Sequence, residues 1–226
     1  MNGGLKERID EVRTRIADAA ARAGRDASEI QLIAVSKTHP AETVREAIAA
    51  GVNVFGENKV QEADAKIPAI GRSDAKWHLI GHLQKNKARR AVQHFDVIHS
   101  VDSLELADRL ERICGEEGRA ELPVLIQVDL AGEETKSGIA EDGLGELIDY
   151  LRKCGRLKLI GLMILPPFFD DAEATRPYFK KLREIRDHLL AGGELSMGMS
   201  HDFEVAIEEG ATMVRVGTAI FGEREY

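Results

Sequence analysis

A chain of 226 residues with 39 acidic against 31 basic side chains carries a formal charge of −8, and 43% of it is hydrophobic. This suits one generous globular domain with a substantial core. The acidic balance argues against a general nucleic-acid or anionic-membrane binder, yet leaves room for one small basic pocket. The two cysteines, Cys114 and Cys154, form no C-x-x-C pair, which argues against structural zinc and fits a reducing cytoplasm. No apolar run approaches the ~20 residues of a membrane span, and the N-terminus is charged from Lys6 onward, unlike a signal peptide.

Leu5, Ile9, Val12, Ile16 and Ala20 share one helical stripe, with Gly24 at the C-terminal cap position, so residues 1–24 read as an amphipathic helix packed on another body. A rhythm of strands and helices follows. The first strand is predicted at 31–36, with a helix at 40–50. Strand two is predicted at 52–55 and its helix at 59–70; strand three at 77–80, with a basic helix at 84–93. Strand four spans 96–99 and its helix 103–117; strand five 122–128 and its helix 142–154. Strand six spans 157–164, with a long helix at 172–190. A short strand seven at 194–196 and a helix at 201–209 lead to strand eight at 212–216.

Eight short apolar strands alternating with helices mean parallel βα units. An open doubly wound sheet shares this local pattern, but a count of eight at this length favours a closed (β/α)8 TIM-type barrel. No linker or charge block divides the chain, so residues 1–226 are expected to form a single α/β barrel domain with an extra N-terminal helix.

The functional face of such a barrel is the ring of C-terminal strand ends. Lys37 ends a wholly apolar strand there. A desolvated lysine has a lowered pKa, and its neutral amine can attack an aldehyde to form a Schiff base; a solvated cap lysine is equally consistent with the residue alone. After strand eight, Gly217 lets the backbone approach a ligand, and the following amides with the Thr218 hydroxyl can cradle a phosphate. Ser200 stands at the neighbouring strand end as a helix N-cap, where amides also favour an anion. Turn glycines closing a barrel would look the same. Arg215 alternates with Val214 and Val216 and so faces the other way, into the barrel, where it needs an acceptor: a carboxylate partner or a ligand atom such as a pyridine nitrogen.

Other constellations are weaker. His78 and His82 straddle a strand end without an obvious third metal ligand. Lys85, Lys87, Arg89 and Arg90 read as a solvated helix face. No Walker, G-x-G-x-x-G or G-x-S-x-G motif is present.

The ordered set AVSKT at 34–38, FGEN at 55–58, VQE at 60–62, WHLIG at 77–81, VLIQ at 124–127, KSGI at 136–139, LSMGMS at 195–200 and VRVGTAIFG at 214–222 resembles the YggS/PROSC family of pyridoxal 5′-phosphate (PLP) homeostasis proteins across nearly the whole chain. The resemblance implies a barrel similar to the alanine racemase N-terminal domain, with PLP held as a Schiff base on Lys37. It further implies Asn58 beside the cofactor ring, Arg215 at the pyridine nitrogen, and Ser200, Gly217 and Thr218 at the phosphate. Residues 164–168 and the loop after Asp170 are less typical of the family.

The implied function is intracellular buffering and delivery of PLP without strong catalysis, with apo PLP-dependent enzymes as recipients. A carrier needs an aldimine that exchanges, and Lys136 on the loop after strand five is a candidate second amine for passing the aldehyde, although a solvent-exposed loop lysine is the better reading of that residue alone. PLP racemases use a second acid–base group from an additional domain, and the chain ends at Tyr226 without one. An arginine at the pyridine nitrogen would weaken the ring as an electron sink. The alternatives are a small PLP-dependent racemase-like enzyme and, less well matched, a cofactor-free aldolase, whose lysine would end strand six where Lys158 instead begins it. A cytoplasmic monomer without nucleic-acid or membrane partners completes the expectation.

Overall fold

The computed structural model describes residues 4–71, 74–132 and 137–222. Leu5–Arg22 forms helix α1, and its apolar stripe is buried as the pattern predicts: Ile9, Val12, Ile16 and Ala20 are nearly inaccessible. Gly24 then takes a φ of 66°, a left-handed conformation that ends the helix.

The strands are β1 (Gln31–Val35), β2 (Val54–Glu57), β3 (Lys76–Leu79), β4 (Val97–Val101), β5 (Leu122–Val128), β6 (Leu157–Ile164), β7 (Glu194–Met199) and β8 (Met213–Val216). All neighbours pair in parallel in chain order, and β8 closes on β1 through Ile33 beside Arg215 and Ala34 beside Val216. The barrel predicted by the strand count is therefore the observed fold. The helices on its outside are α2 (Ala41–Ala49), α3 (Val60–Ile70), α4 (Ala88–His94), α5 (Leu104–Glu116), α6 (Glu141–Leu151), α7 (Arg176–Leu189), α8 (Phe203–Glu208) and the single turn α9 (Thr218–Phe221).

Several boundaries differ from the predicted ones for local reasons. The helix expected at 84–93 opens as a 3-10 turn, Lys85–Lys87, and becomes α-helical at Ala88. The helix expected at 172–190 is a 3-10 turn, Ala172–Thr175, followed by α7, where Pro177 occupies a first-turn position that needs no amide donor. Strand β7 runs three residues further than expected, to Met199.

Period-two alternation divides the strands between two packing layers. Ile33, Val54, Leu125, Met163 and Met213 cluster in the barrel lumen, whereas Phe55, Trp77, Ile98 and Leu162 belong to the larger core beneath the helices. Each fully buried side chain of this size contributes roughly 1.5–3 kcal/mol. Helix α1 packs on α8 and α9, where Arg15 pairs with Glu204 at 3.0 Å and Arg22 with Glu208 at 2.8 Å. Those pairs are part-exposed, so the apolar stripe supplies most of the attachment.

Candidate cofactor site at the barrel mouth

The end of β1 is held from behind by buried charge. Ser36 donates its hydroxyl to the Glu57 carboxylate at 2.6 Å, and Lys66 of α3 donates to the Ser36 carbonyl at 2.6 Å and to the same Glu57 oxygen at 2.8 Å. Glu57 is fully buried and the Lys66 side chain only 9% exposed. Burial pushes the Glu57 carboxyl up to about 7, against the opposing pull of the Lys66 ammonium. Lys37 follows, half-buried, and Thr38 then adopts a φ of 68°. A β-branched residue in the left-handed region is a true outlier, costing on the order of 1–3 kcal/mol, and such strain gathers where geometry matters.

Arg215 lies 2% exposed in the barrel wall, in register with Ile33 of β1. Among the described residues it makes no ion pair of the kind that a buried arginine suggests. Its acceptors are neutral: the Ser196 hydroxyl at 2.6 Å and the Ile164 carbonyl at 2.8 Å. Burial pulls the guanidinium down to about 10, partly offset by the field of Asp202, so it stays charged at neutral pH. Ser196 also meets Nδ1 of His99 at 2.9 Å, and Nε2 of His99 meets Nδ1 of His78 at 2.9 Å. Burial lowers His78 to about 4 and holds His99 well below its ordinary value, so both imidazoles are neutral near pH 7.

Ser200 is not the helix N-cap that its position suggested. Asp202 precedes α8 and accepts from the Met199 amide at 2.7 Å. The Ser200 hydroxyl instead accepts from the amides of Gly217 at 3.1 Å and Ala219 at 3.3 Å. Two backbone donors after β8 thus converge on one point, as a phosphate oxygen requires. Gly217 has a φ of −114°, so its role is not a left-handed turn; the absence of a side chain leaves this backbone approachable. Thr218 is exposed beside it. Asn58 follows β2, half-buried, and its backbone lies so close to Gly81 that a Cβ there would stand 2.2 Å from the Asn58 carbonyl oxygen.

The six residues singled out by sequence therefore lie on or just beyond four consecutive strands, β7, β8, β1 and β2, with Ser200, Arg215, Gly217, Thr218, Lys37 and Asn58 following one another around the mouth. The less typical segment after β6 comes to the same rim: Phe168 is 77% exposed and its ring lies 5.6 Å from that of His201. Lys136 lies outside the described residues. The basic run is not merely solvated: Lys85 pairs with Glu105, Arg89 with Glu116 and Glu117, and Arg90 with Asp64. Lys158 stands at the opposite end of β6, 3.7 Å from Glu121.

Sequence reasoning missed Ser36, Glu57 and Lys66 as a unit, and His99 and Ser196 as partners of Arg215. Lys66 carried a signal, since it shares a helix face with the apolar Ala63 and Ile67. The alternation of β3 and β4 also placed His78 and His99 opposite Trp77, Leu79 and Ile98, facing inward.

Comparison with known proteins agrees with this fold. Residues 8–225 match the family model described as alanine racemase, N-terminal domain. The pyridoxal phosphate homeostasis protein of Aquifex aeolicus (strain VF5) is 46% identical, covering 97% of this chain and 98% of its own; the Escherichia coli K12 protein of that name is 43% identical, at 98% and 97%. PipY of Synechococcus elongatus PCC7942, solved with PLP bound, superposes with a TM-score of 0.85 at 42% identity, covering 97% of this chain and all of that one. Alanine racemase from Corynebacterium glutamicum, at 19% identity and a TM-score of 0.67 over 96% of this chain and 62% of its own, shares the fold. The chain belongs to the alanine racemase N-terminal-domain family, and within it to the pyridoxal phosphate homeostasis proteins.

Proposed function

We propose that the protein binds PLP through Lys37 and serves in intracellular PLP homeostasis, buffering and delivering the cofactor. The observation that carries this reading is the closure of β8 on β1, which sets an amine, a charged guanidinium and a pair of converging amides around one mouth. PLP presents three matching groups: an aldehyde for the amine, a ring nitrogen for the guanidinium, and a phosphate for the amides. The likeness to PipY, solved with PLP bound, supports the same ligand. When bound, PLP supplies an electrophilic carbon and a ring that can draw electrons.

In this reading Lys37 bonds the aldehyde, and Asn58 lies beside the ring. Arg215 contacts the ring nitrogen, while Ser200, Gly217 and Thr218 hold the phosphate. The buried Lys66–Glu57 pair fixes the backbone from which Lys37 projects. Arg215, held by neutral acceptors, keeps a full positive charge toward the ring nitrogen, and a permanent donor there disfavours ring protonation. That weakens electron withdrawal and favours a carrier over an enzyme. Residues 1–226 act as one PLP-binding barrel domain, in a cytoplasmic monomer that delivers PLP to apo-enzymes, with neither nucleic acid nor membrane as a partner.

The test is spectroscopic. Purified protein incubated with PLP and dialysed should keep an absorbance band near ~420 nm, as expected for PLP bonded to an amine. Borohydride should fix the label on Lys37, and Lys37→Ala should be colourless. A band retained by Lys37→Ala, or a label mapped to another lysine, overturns the assignment. Steady Lys37-dependent exchange of amino-acid α-protons in deuterated solvent would make the protein an enzyme instead.

A further inference from the structure

The barrel lumen holds a row of polar side chains that PLP binding by Lys37 and the amide cradle does not use. His78 on β3 meets His99 on β4, His99 meets Ser196 on β7, and Ser196 meets Arg215 on β8. The middle contact crosses the lumen, since β4 and β7 are not neighbours. All four residues are buried. Polar groups in such a place are costly unless paired, so a continuous row calls for a use.

Its polarity can be derived. Arginine only donates, so the Ser196 oxygen accepts from Arg215. The Ser196 hydroxyl proton then needs an acceptor, and among the described residues Nδ1 of His99 is the one within reach. With Nδ1 accepting, a neutral His99 carries its proton on Nε2 and donates it to Nδ1 of His78. Each member thereby fixes the next, and the last fixes the rotamer of Arg215 through one Nη while the Ile164 carbonyl takes the other.

We propose that His99 and Ser196, backed by His78, are positioning residues that aim the Arg215 guanidinium at the ring nitrogen of the bound cofactor. This rests on the reading of Arg215 as the ring-nitrogen contact. A carboxylate in place of Ser196 would hold the arginine as firmly but would neutralise it. A hydroxyl tied to an imidazole holds its direction and leaves its charge for the ligand.

The test compares PLP with 1-deaza-pyridoxal phosphate, which carries a carbon where the ring nitrogen stands. His99→Leu and Ser196→Ala should weaken PLP binding about tenfold, as loss of one well-aligned hydrogen bond to a charged group implies. They should leave 1-deaza-pyridoxal phosphate binding unchanged. His99→Asn, whose amide oxygen can take the place of Nδ1, should restore PLP binding to within about twofold. Equal weakening of both ligands, or no effect on either, overturns the proposal. Should the variants fail to fold, nitrogen NMR of the ligand-free wild type decides: Nδ1 of His99 must be the unprotonated nitrogen, and a protonated Nδ1 sinks the proposal. Wild-type protein that takes up no PLP would instead sink the proposed function, and the tautomer measurement would still judge the row by itself.

Discussion

Lys66, projecting from the middle of α3, donates to the carbonyl oxygen of Ser36 at 2.6 Å, directly before the amine-bearing Lys37. A buried cation on a helix thus sets the backbone of a neighbouring strand end. Its charge is balanced by Glu57, which also accepts from the Ser36 hydroxyl.

Lys66→Met should therefore destabilise the fold by about 3 kcal/mol at pH 8, where the buried Glu57 must either stand ionised without its cation or take up a proton at a cost, and where the Ser36 carbonyl loses its donor. Urea unfolding measures this. The double variant Lys66→Met/Glu57→Gln should recover part of the loss; full additivity of the two single changes would show that the groups are not coupled.

Glu57 also predicts a pH dependence. Its carboxyl stands at about 7 in the folded protein against an ordinary 4.5, so folding favours the protonated form. The associated stability is complete below 4.5 and is lost as the pH rises through 7. Measured by urea midpoint, the wild type should lose stability relative to Glu57→Gln between pH 5 and pH 8. Parallel curves for the two proteins would refute this.

The imidazole row acts in the opposite direction. His78 falls from 6.5 to about 4 through burial, so its contribution is present above 6.5 and is lost as the pH falls through 4; the depression corresponds to about 3 kcal/mol. The double variant His78→Leu/His99→Leu should be less acid-sensitive than the wild type over that window. Equal acid midpoints in circular dichroism would count against neutral buried imidazoles.

Thr38 carries strain that glycine would release. At a φ of 68°, Thr38→Gly should raise stability by up to about 1 kcal/mol, read from the urea midpoint. The same change should loosen the hold on Lys37, so PLP should dissociate faster. A stabilised variant with unchanged dissociation would show that the strain has no bearing on the ligand.

Ser200→Ala separates the phosphate from the rest of the cofactor. The amides of Gly217 and Ala219 now converge on the Ser200 hydroxyl. Its loss should weaken PLP about tenfold and leave pyridoxal, which has no phosphate, unaffected. An equal loss for both ligands would remove Ser200 from the phosphate site.

Much of this protein could be read from its sequence, because the reading depends on local patterns. The stripe of α1 and the eight apolar runs follow from periodicity, which reports which face of each element avoids water. Lys37 and Gly217 were conspicuous because each follows directly on a buried strand, and the alternation of β8 sufficed to turn Arg215 inward. What periodicity lacks is the identity of partners across the barrel. The sequence showed a buried arginine in need of an acceptor; only closure of the sheet decided that the acceptor was Ser196 on β7 rather than a carboxylate. It showed a helix after β7, but only the tertiary structure turned Ser200 away from that helix to the amides beyond β8. His99 and Ser196 are 97 residues apart and Arg215 and Ile164 51 apart. Such pairings depend on strand order, register and closure, which no local pattern encodes.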